Sequence, residues 1–416
     1  MKVLVIGNGA REHAICYKLK QSSIVGELYC APGNGGISQI ANCVNIKVDE
    51  LDKVSEFAVN NKIDLVVIGP ELPLTLGLTD ILKEKGIKVF GPDKKGAKLE
   101  GSKSYSKEFM EKYGVPTAKY KSYTNSTEAK EGLDKFDLPV VIKADGLAAG
   151  KGVIICHSIN EAVEAINSIM DEKKFGDAGN TVIVEEFLEG IESSLLCFAD
   201  GNSLIPMESA KDYKKAFDDD KGLNTGGMGC FSPNPVYTNE LKSYIKENIL
   251  NTTLNGFKKE NINFKGVLFI GLMIKDGKAK VLEYNTRFGD PETEVILPRL
   301  ESDLAEIIFK CIDGGLKEED LLWKNEKCVT VVLASGGYPE KYETGKEITG
   351  LNELDKNIIA FHGGTKVIDN KVLTNGGRVL AVTALGSTIE KARDSIYRNI
   401  QKIKFENMQY RKDIGV

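Results

Sequence analysis

Lys143-Ala144-Asp145-Gly146-Leu147-Ala148-Ala149-Gly150-Lys151-Gly152 is the stretch whose reading decides the fold. It has the look of a P-loop, but only three residues separate Gly146 from Gly150, and Gly152 stands where a P-loop carries the Ser or Thr that holds magnesium. The flanks disagree as well. Pro139–Lys143 before it and Val153–Cys156 after it are short β-branched runs, whereas a P-loop opens a helix. Strand, glycine tip and strand make a hairpin. Its tip amides can close over a triphosphate, and Lys143, ending the incoming strand, adds a point charge.

A hairpin lid needs a facing wall, and Val281-Leu282-Glu283-Tyr284-Asn285-Thr286-Arg287 supplies a candidate. Read as a strand, its side chains alternate, so Glu283, Asn285 and Arg287 share one face and Leu282, Tyr284 and Thr286 the other. A carboxylate and an amide oxygen suit Mg²⁺, and a guanidinium suits a transferring phosphoryl group. Taken alone, the segment reads equally well as a half-exposed strand with a polar face.

Two further Gly-rich loops flank these walls. Gly7-Asn8-Gly9-Ala10-Arg11-Glu12 joins a strand to a helix, where free N–H groups attract phosphate. A dinucleotide fingerprint wants glycine where Glu12 stands, which disfavours NAD. Gly222-Leu223-Asn224-Thr225-Gly226-Gly227-Met228-Gly229 is expected to form a concave anion nest, with Asp212 nearby for an ammonium or hydroxyl.

Composition narrows the rest. The chain has 416 residues, 42% hydrophobic and 28% charged, with a net charge of -5. That is a multidomain globular chain without the basic excess of a nucleic-acid binder. No run approaches the ~18 apolar residues of a membrane span, and the N-terminus lacks a signal-peptide pattern, so a cytoplasmic protein is expected. Eight scattered cysteines, with no CxxC pair, read as buried thiols rather than disulfides. Three histidines leave little room for a His-based metal cluster or a Ser-His-Asp triad.

Residues 1–100 alternate strand and helix, with strands at Val3–Ile6, Leu28–Ala31, Val44–Ile46, Leu65–Ile68 and Lys88–Phe90. The interleaved helices are Arg11–Lys20, Leu51–Asn60 and Leu76–Lys85, a doubly wound parallel α/β sheet. Residues 101–320 read as α+β. A lid subdomain spans about 118–186, with capped helices starting at Asn125 and Ser158, and a mostly antiparallel sheet contains Glu192–Ala199, Val267–Ile274 and Ala279–Asn285. Residues 321–416 read as a small β-rich domain.

Together these pieces resemble the ATP-grasp ligases and, within them, the phosphoribosylamine–glycine ligase family of purine biosynthesis. The likeness rests on Gly7-x-Gly9-x-Arg11-Glu12-His13-Ala14, Gly69-Pro70-Glu71-x-Pro73-Leu74 and Leu99-Glu100-Gly101-Ser102-Lys103. It extends to the 142–152 stretch, Asn224-Thr225-Gly226-Gly227-Met228-Gly229 and Arg287-Phe288-Gly289-Asp290-Pro291-Glu292. The resemblance implies an ATP-dependent ligase that joins glycine to 5-phosphoribosylamine through glycyl phosphate, with Mg²⁺ or Mn²⁺, as a monomer. It also implies residue roles. Lys103 and Lys143 would contact ATP phosphates under a lid of Gly146, Gly150, Lys151 and Gly152. Glu185, Glu186, Phe187 and Leu188 would form a hinge holding adenine through backbone groups, with Glu192 on the ribose hydroxyls. Glu283 and Asn285 would bind metal. Arg287 would stabilise the transferring phosphoryl group, with Asp212 and Lys214 acting near the amine. Gly7, Gly9, Arg11, Glu12, Glu71, Asn224, Thr225, Gly226, Gly227, Met228 and Asp290 would seat the two substrates.

The chain departs from the family pattern at Lys211 and Tyr213, and Phe269-Ile270-Gly271-Leu272 lacks the acid that many ATP-grasp enzymes carry there. The rivals are a sister ligase activating another carboxylate, a dinucleotide oxidoreductase, and a silent nucleotide-binding regulator. Gly376-Gly377-Arg378 reads either as a structural turn or as a reach toward the site.

Overall fold

The computed structural model describes residues 1–147 and 152–416. The expected alternation in residues 1–100 builds a five-stranded parallel sheet in the order Asn42–Cys43, Glu27–Pro32, Lys2–Gly7, Leu65–Ile68, Lys88–Phe90. The strand order reverses between Lys2–Gly7 and Leu65–Ile68. Open α/β sheets form a crevice at that place, beyond the strands' carboxyl ends. The Gly7–Glu12 loop and Gly69-Pro70-Glu71 both emerge into it.

Two expectations shift here. The strand placed at Val44–Ile46 is only Asn42–Cys43, because the Ile46 N–H turns back onto the Val44 carbonyl at 2.7 Å and ends the pairing. The helix placed at Leu76–Lys85 is two helices, Glu71–Leu76 and Leu78–Glu84, broken where Gly77 adopts φ +96°. A left-handed residue stops a helix, and glycine takes that conformation without a Cβ penalty. Glu71 thereby becomes the first residue of a short helix aimed at the crevice.

The hairpin expected at Lys143–Gly152 sits in a four-stranded antiparallel sheet, Tyr120–Tyr123, Val182–Glu186, Val140–Ala144, Val153–Cys156. Asn125 and Ser158 cap their helices through side-chain oxygens, as their spacing suggests. Val140, Ile142, Val182 and Val184 bury one face of this sheet. With period 2, Lys143 and Glu185 therefore share the opposite face.

A second antiparallel sheet orders Leu204–Pro206, Ile191–Asp200, Lys265–Lys275 and Lys278–Asn285. Gly271 pairs with Glu283 and Leu272 with Val281, leaving Leu282 as a bulge. The extra residue shifts the alternation. Val281 and Tyr284 both enter the core, while Leu282, expected on Tyr284's face, lines a small pocket with Glu192, Asp212 and Lys214.

The third large sheet runs Lys211–Asp212, Gly229–Ser232, Lys327–Ala334, Arg378–Gly386, Ile358–His362. The loop between its first two strands is thus hydrogen-bonded to the C-terminal sheet, which the Ile389–Ile400 helix covers. One buried cluster joins Val3, Phe90, Phe198 and Phe288, so the first and second sheets share a core. Seven of the eight cysteines are buried and all are free, with Cys43 exposed on its two-residue edge strand. No described helix is long and apolar enough to cross a membrane.

Candidate functional site

On the lid side, Ser102 caps the Lys103–Tyr113 helix, and Asp145 accepts from the Ser104 amide at 3.0 Å and its hydroxyl at 2.7 Å. Lys103 Nζ donates to the Gly146 carbonyl at 2.8 Å. The hairpin's incoming arm is therefore pinned to the helix that carries Lys103. Gly152 closes the ladder, its carbonyl accepting from Ala144; the expected lid residues Gly150 and Lys151 lie outside the described residues. Lys143 Nζ pairs with buried Glu185 Oε2 at 2.9 Å, and Lys107 Nζ meets the same oxygen at 3.0 Å. Burial lowers the Lys107 ammonium to about 8, with Glu185 pulling it up and Lys143 pushing it down. Glu186 turns outward to Lys280 and the Lys119 amide, while Phe187 and Leu188 continue half-buried past the strand's end.

On the facing sheet, Asn285 Nδ2 lies 3.3 Å from Glu283 Oε1, and Arg287 Nη2 lies 3.4 Å from Asn285 Oδ1. Burial alone would raise the Glu283 carboxyl, but Lys214, Lys103 and Lys143 hold it below its ordinary value, so it stays an ionised hard ligand. Its strand neighbour is Gly271, so the adjacent strand brings no acid there. No group of three His, Cys, Asp or Glu able to hold a metal occurs among the described residues. One carboxylate and one amide suit Mg²⁺, which takes a few protein oxygens and completes its shell with phosphate and water.

Arg287 links this row to the crevice of the first sheet. Its Nη2 pairs with Glu100 at 3.0 Å and its Nε lies 3.5 Å from Glu71. The other Glu100 oxygen accepts from the Thr286 amide at 2.6 Å. Glu100, quoted in a motif but given no role from sequence, thus fixes the bend after Asn285. Arg11 is buried, with Nε on Glu12 at 2.5 Å and Nη1 on the Phe288 carbonyl at 3.2 Å. Burial opposes its charge, yet Glu12, Glu71 and Asp290 outweigh that and raise its pKa.

Glu12 occupies the turn itself. Its Oε2 accepts the Gly9 N–H at 2.6 Å, and a Cβ on Gly7 or Gly69 would collide with its side chain. The Gly9 amide expected to face a phosphate is therefore satisfied by Glu12, which explains why the sixth position is an acid and not glycine.

The expected nest at 224–229 is likewise filled from inside. The amides of Thr225, Gly226, Gly227 and Met228 donate to the Lys214 carbonyl, the Tyr338 hydroxyl, Thr225 Oγ1 and the Tyr213 carbonyl. The C-terminal sheet contributes Arg378. Its Nη1 donates to the carbonyls of Gly226 (2.7 Å) and Asp290 (3.1 Å) and pairs with Asp290 Oδ1 at 3.0 Å. The loop thus presents a fixed backbone, not an open anion nest, and Arg378 reaches both that loop and Asp290.

Opposite it, Asp212 Oδ1 is buried with no hydrogen-bond partner among the described residues, 2.7 Å from where a Cβ on Gly227 would lie. Burial and Glu292 raise its pKa well above the usual range, against the pull of Lys214 and Arg378. Lys214 Nζ pairs with Glu192 at 3.0 Å at the open mouth of this pocket. Lys107, Asp145, Glu100 and Tyr338 escaped sequence reading. Asp145 and Glu100 stood inside quoted motifs without a role, and Lys107 had a signal in its i+4 spacing from Lys103 on one helix face.

Three family models match the chain: phosphoribosylglycinamide synthetase N domain over residues 1–100, ATP-grasp (A) domain over 101–293, and C domain over 328–416. The chain is 50% identical over 415 residues to the phosphoribosylamine–glycine ligase of Caldanaerobacter subterraneus subsp. tengcongensis, covering 100% of this chain and 99% of the relative. The Clostridium acetobutylicum enzyme of the same name is 47% identical with the same coverage. Among solved structures, phosphoribosylamine–glycine ligase from Thermotoga maritima superposes with a TM-score of 0.88 at 36% identity, covering 99% of this chain and 100% of that one. The biotin carboxylase domain of Hydrogenobacter thermophilus 2-oxoglutarate carboxylase, at 17% identity and a TM-score of 0.76, covers 98% and 91% and shares the fold.

Proposed function

This chain belongs to the phosphoribosylglycinamide synthetase family, and we propose that it joins glycine to 5-phosphoribosylamine at the expense of ATP, giving glycinamide ribonucleotide, ADP and phosphate for purine synthesis. The observation that carries this is the junction at Asn285–Arg287. There the Glu283–Asn285 row, faced by Lys103, Lys143 and Lys214, meets the crevice of Glu71, Asp290 and Arg378. The nucleotide would lie between the two antiparallel sheets, with adenine at 185–188, the ribose at Glu192 and the phosphates at Lys103 and Lys143. The amine substrate would occupy the crevice of Gly7, Gly9, Arg11, Glu71 and Asp290. Asp212, an unpartnered buried acceptor beside the 224–229 loop, suits the glycine ammonium.

A glycine carboxylate oxygen attacks the γ-phosphorus and ADP leaves, giving glycyl phosphate. The phosphoribosylamine nitrogen then attacks the acyl carbon, phosphate departs, and the nitrogen loses a proton. Glu283 and Asn285 would hold Mg²⁺, or Mn²⁺ on the same oxygens, which would supply charge neutralisation at the phosphates. The protein's own part is positioning and electrostatics. Lys214 and Arg287 place positive charge beside the transferring group, and Glu71 with Glu100 keeps the Arg287 guanidinium from swinging away. The same reading expects a monomer working in the cytoplasm. The test is ADP release measured with glycine, bicarbonate and formate in turn, each with freshly formed phosphoribosylamine. Turnover is expected with glycine alone; release that ignores glycine sinks the assignment.

A further inference from the structure

Lys107 is a buried ammonium with no part in the ligase chemistry proposed above. It lies one turn beyond Lys103 on the Lys103–Tyr113 helix, so both point to the nucleotide cleft. Its Nζ donates to Thr117 Oγ1 at 2.8 Å and shares Glu185 Oε2 with Lys143. The Thr117 hydroxyl gives its only proton to the Val281 carbonyl at 2.6 Å, so toward Lys107 it can only accept. Tyr120's ring centroid lies 5.9 Å away, and Glu283 adds to the field. One ammonium thus ties the Lys103–Tyr113 helix to the Val182–Glu186 strand and, through Thr117, to the Lys278–Asn285 strand.

Lys143 has two competing partners. In this structure it neutralises Glu185, whose side chain is 2% exposed, while a bound nucleotide would draw it onto phosphate oxygens. If Lys143 were the sole counter-charge, its departure would strand a buried carboxylate, which costs several kcal/mol. We propose that Lys107 is a positioning residue for ATP: a permanent counter-charge on Glu185 that frees Lys143 to move onto the nucleotide phosphates. The 3.0 Å pair and the oriented Thr117 acceptor hold Lys107 in place whichever way Lys143 points. This inference rests on the nucleotide cleft proposed for the same residues.

The test is equilibrium binding of the non-hydrolysable analogue Mg·AMP-PNP to the full chain. K107M leaves Glu185 dependent on Lys143, so the dissociation constant should rise about tenfold or more, the scale of one charge-assisted hydrogen bond. Adding E185Q to K107M removes the competing charge while leaving in place the 185–188 backbone groups proposed for adenine, and should bring affinity back to within about threefold of wild type, a coupling that a merely structural role would not produce. If K107M does not fold, as judged by circular dichroism, E185Q alone decides: freed from its competitor, Lys143 should bind the analogue at least as tightly as in wild type, and a weaker complex refutes the idea. Wild-type affinity in folded K107M, or a double variant no better than K107M, also refutes it. A wild-type chain that binds no Mg·AMP-PNP would instead overturn the nucleotide cleft, and this inference with it.

Discussion

Arg378→Met probes how far the C-terminal sheet belongs to the site. The guanidinium makes two short bonds to carbonyls, Gly226 at 2.7 Å and Asp290 at 3.1 Å, and one ion pair to Asp290 Oδ1 at 3.0 Å. Burial opposes its charge but Asp290, Tyr338 and Glu294 hold its pKa above the ordinary value, so it is a fixed cation. Charge-assisted bonds are each worth about 1.5–3 kcal/mol, and removing one partner leaves the other unpaired. The side chain is 24% exposed, so water recovers part of that, and about 2–4 kcal/mol is a fair expectation. Met keeps most of the volume, and the loop is tied elsewhere by Tyr338, Thr225 and Tyr213. The loss should therefore fall on site geometry, not on global folding. In steady-state assays kcat/KM for glycine and for phosphoribosylamine should drop roughly 30- to 1000-fold, while Mg·AMP-PNP affinity stays near wild type. Values for both substrates within about threefold of wild type, in a folded variant, would refute the claim that this residue shapes the site.

Other changes test other parts. Glu283→Gln keeps the strand and its volume but removes the ionised ligand, so turnover should fall by at least about a hundredfold and respond to higher Mg²⁺; near-normal rates at low Mg²⁺ would remove the metal role. Gly227→Ala places a Cβ against Pro291 and 2.7 Å from Asp212 Oδ1 at φ +114°, so glycine KM should rise sharply with nucleotide binding unaffected. Equal loss for both ligands would point to misfolding. Burial lowers His13 to about 3, with His362 adding repulsion, and lowers His362 to about 4, so both rings are neutral in the folded chain. Their stability contribution is complete above pH ~6.5 and is lost as pH falls, because the unfolded chain takes up protons first; at pH 5 each ring costs about 2 kcal/mol. His13→Gln should therefore flatten the decline of Tm between pH 6.5 and 5, and an unchanged slope would contradict this.

The strand–glycine–strand context of Lys143–Gly152 was enough to exclude a P-loop, because the distinction is local. Period-2 patterning placed Glu283 and Asn285 on one face for the same reason, and the helix caps at Asn125 and Ser158 depend on neighbours within a turn. Leu282 escaped that logic. A bulge exists only through the register with Lys265–Lys275, and one unpaired residue reverses the alternation on its far side.

The sequence alone determined most of the elements, the pairing of Val140–Ala144 with Val153–Cys156 and the chemical types on offer, since propensity, spacing and turn residues act over a few positions. Tertiary structure decided which groups are already spent and which remain open. The Gly9 amide looked free until Glu12 folded back on it, and the glycine amides at 226–227 until Tyr338 and Thr225 met them. Arg378 is about 150 residues from Gly226 in the chain, yet 2.7 Å from its carbonyl. Among the described residues, Asp212 Oδ1 and Glu185 Oε1 stay buried and find no hydrogen-bond partner. Satisfaction of a polar group depends on what the fold brings within 3 Å, and a linear pattern carries no record of that.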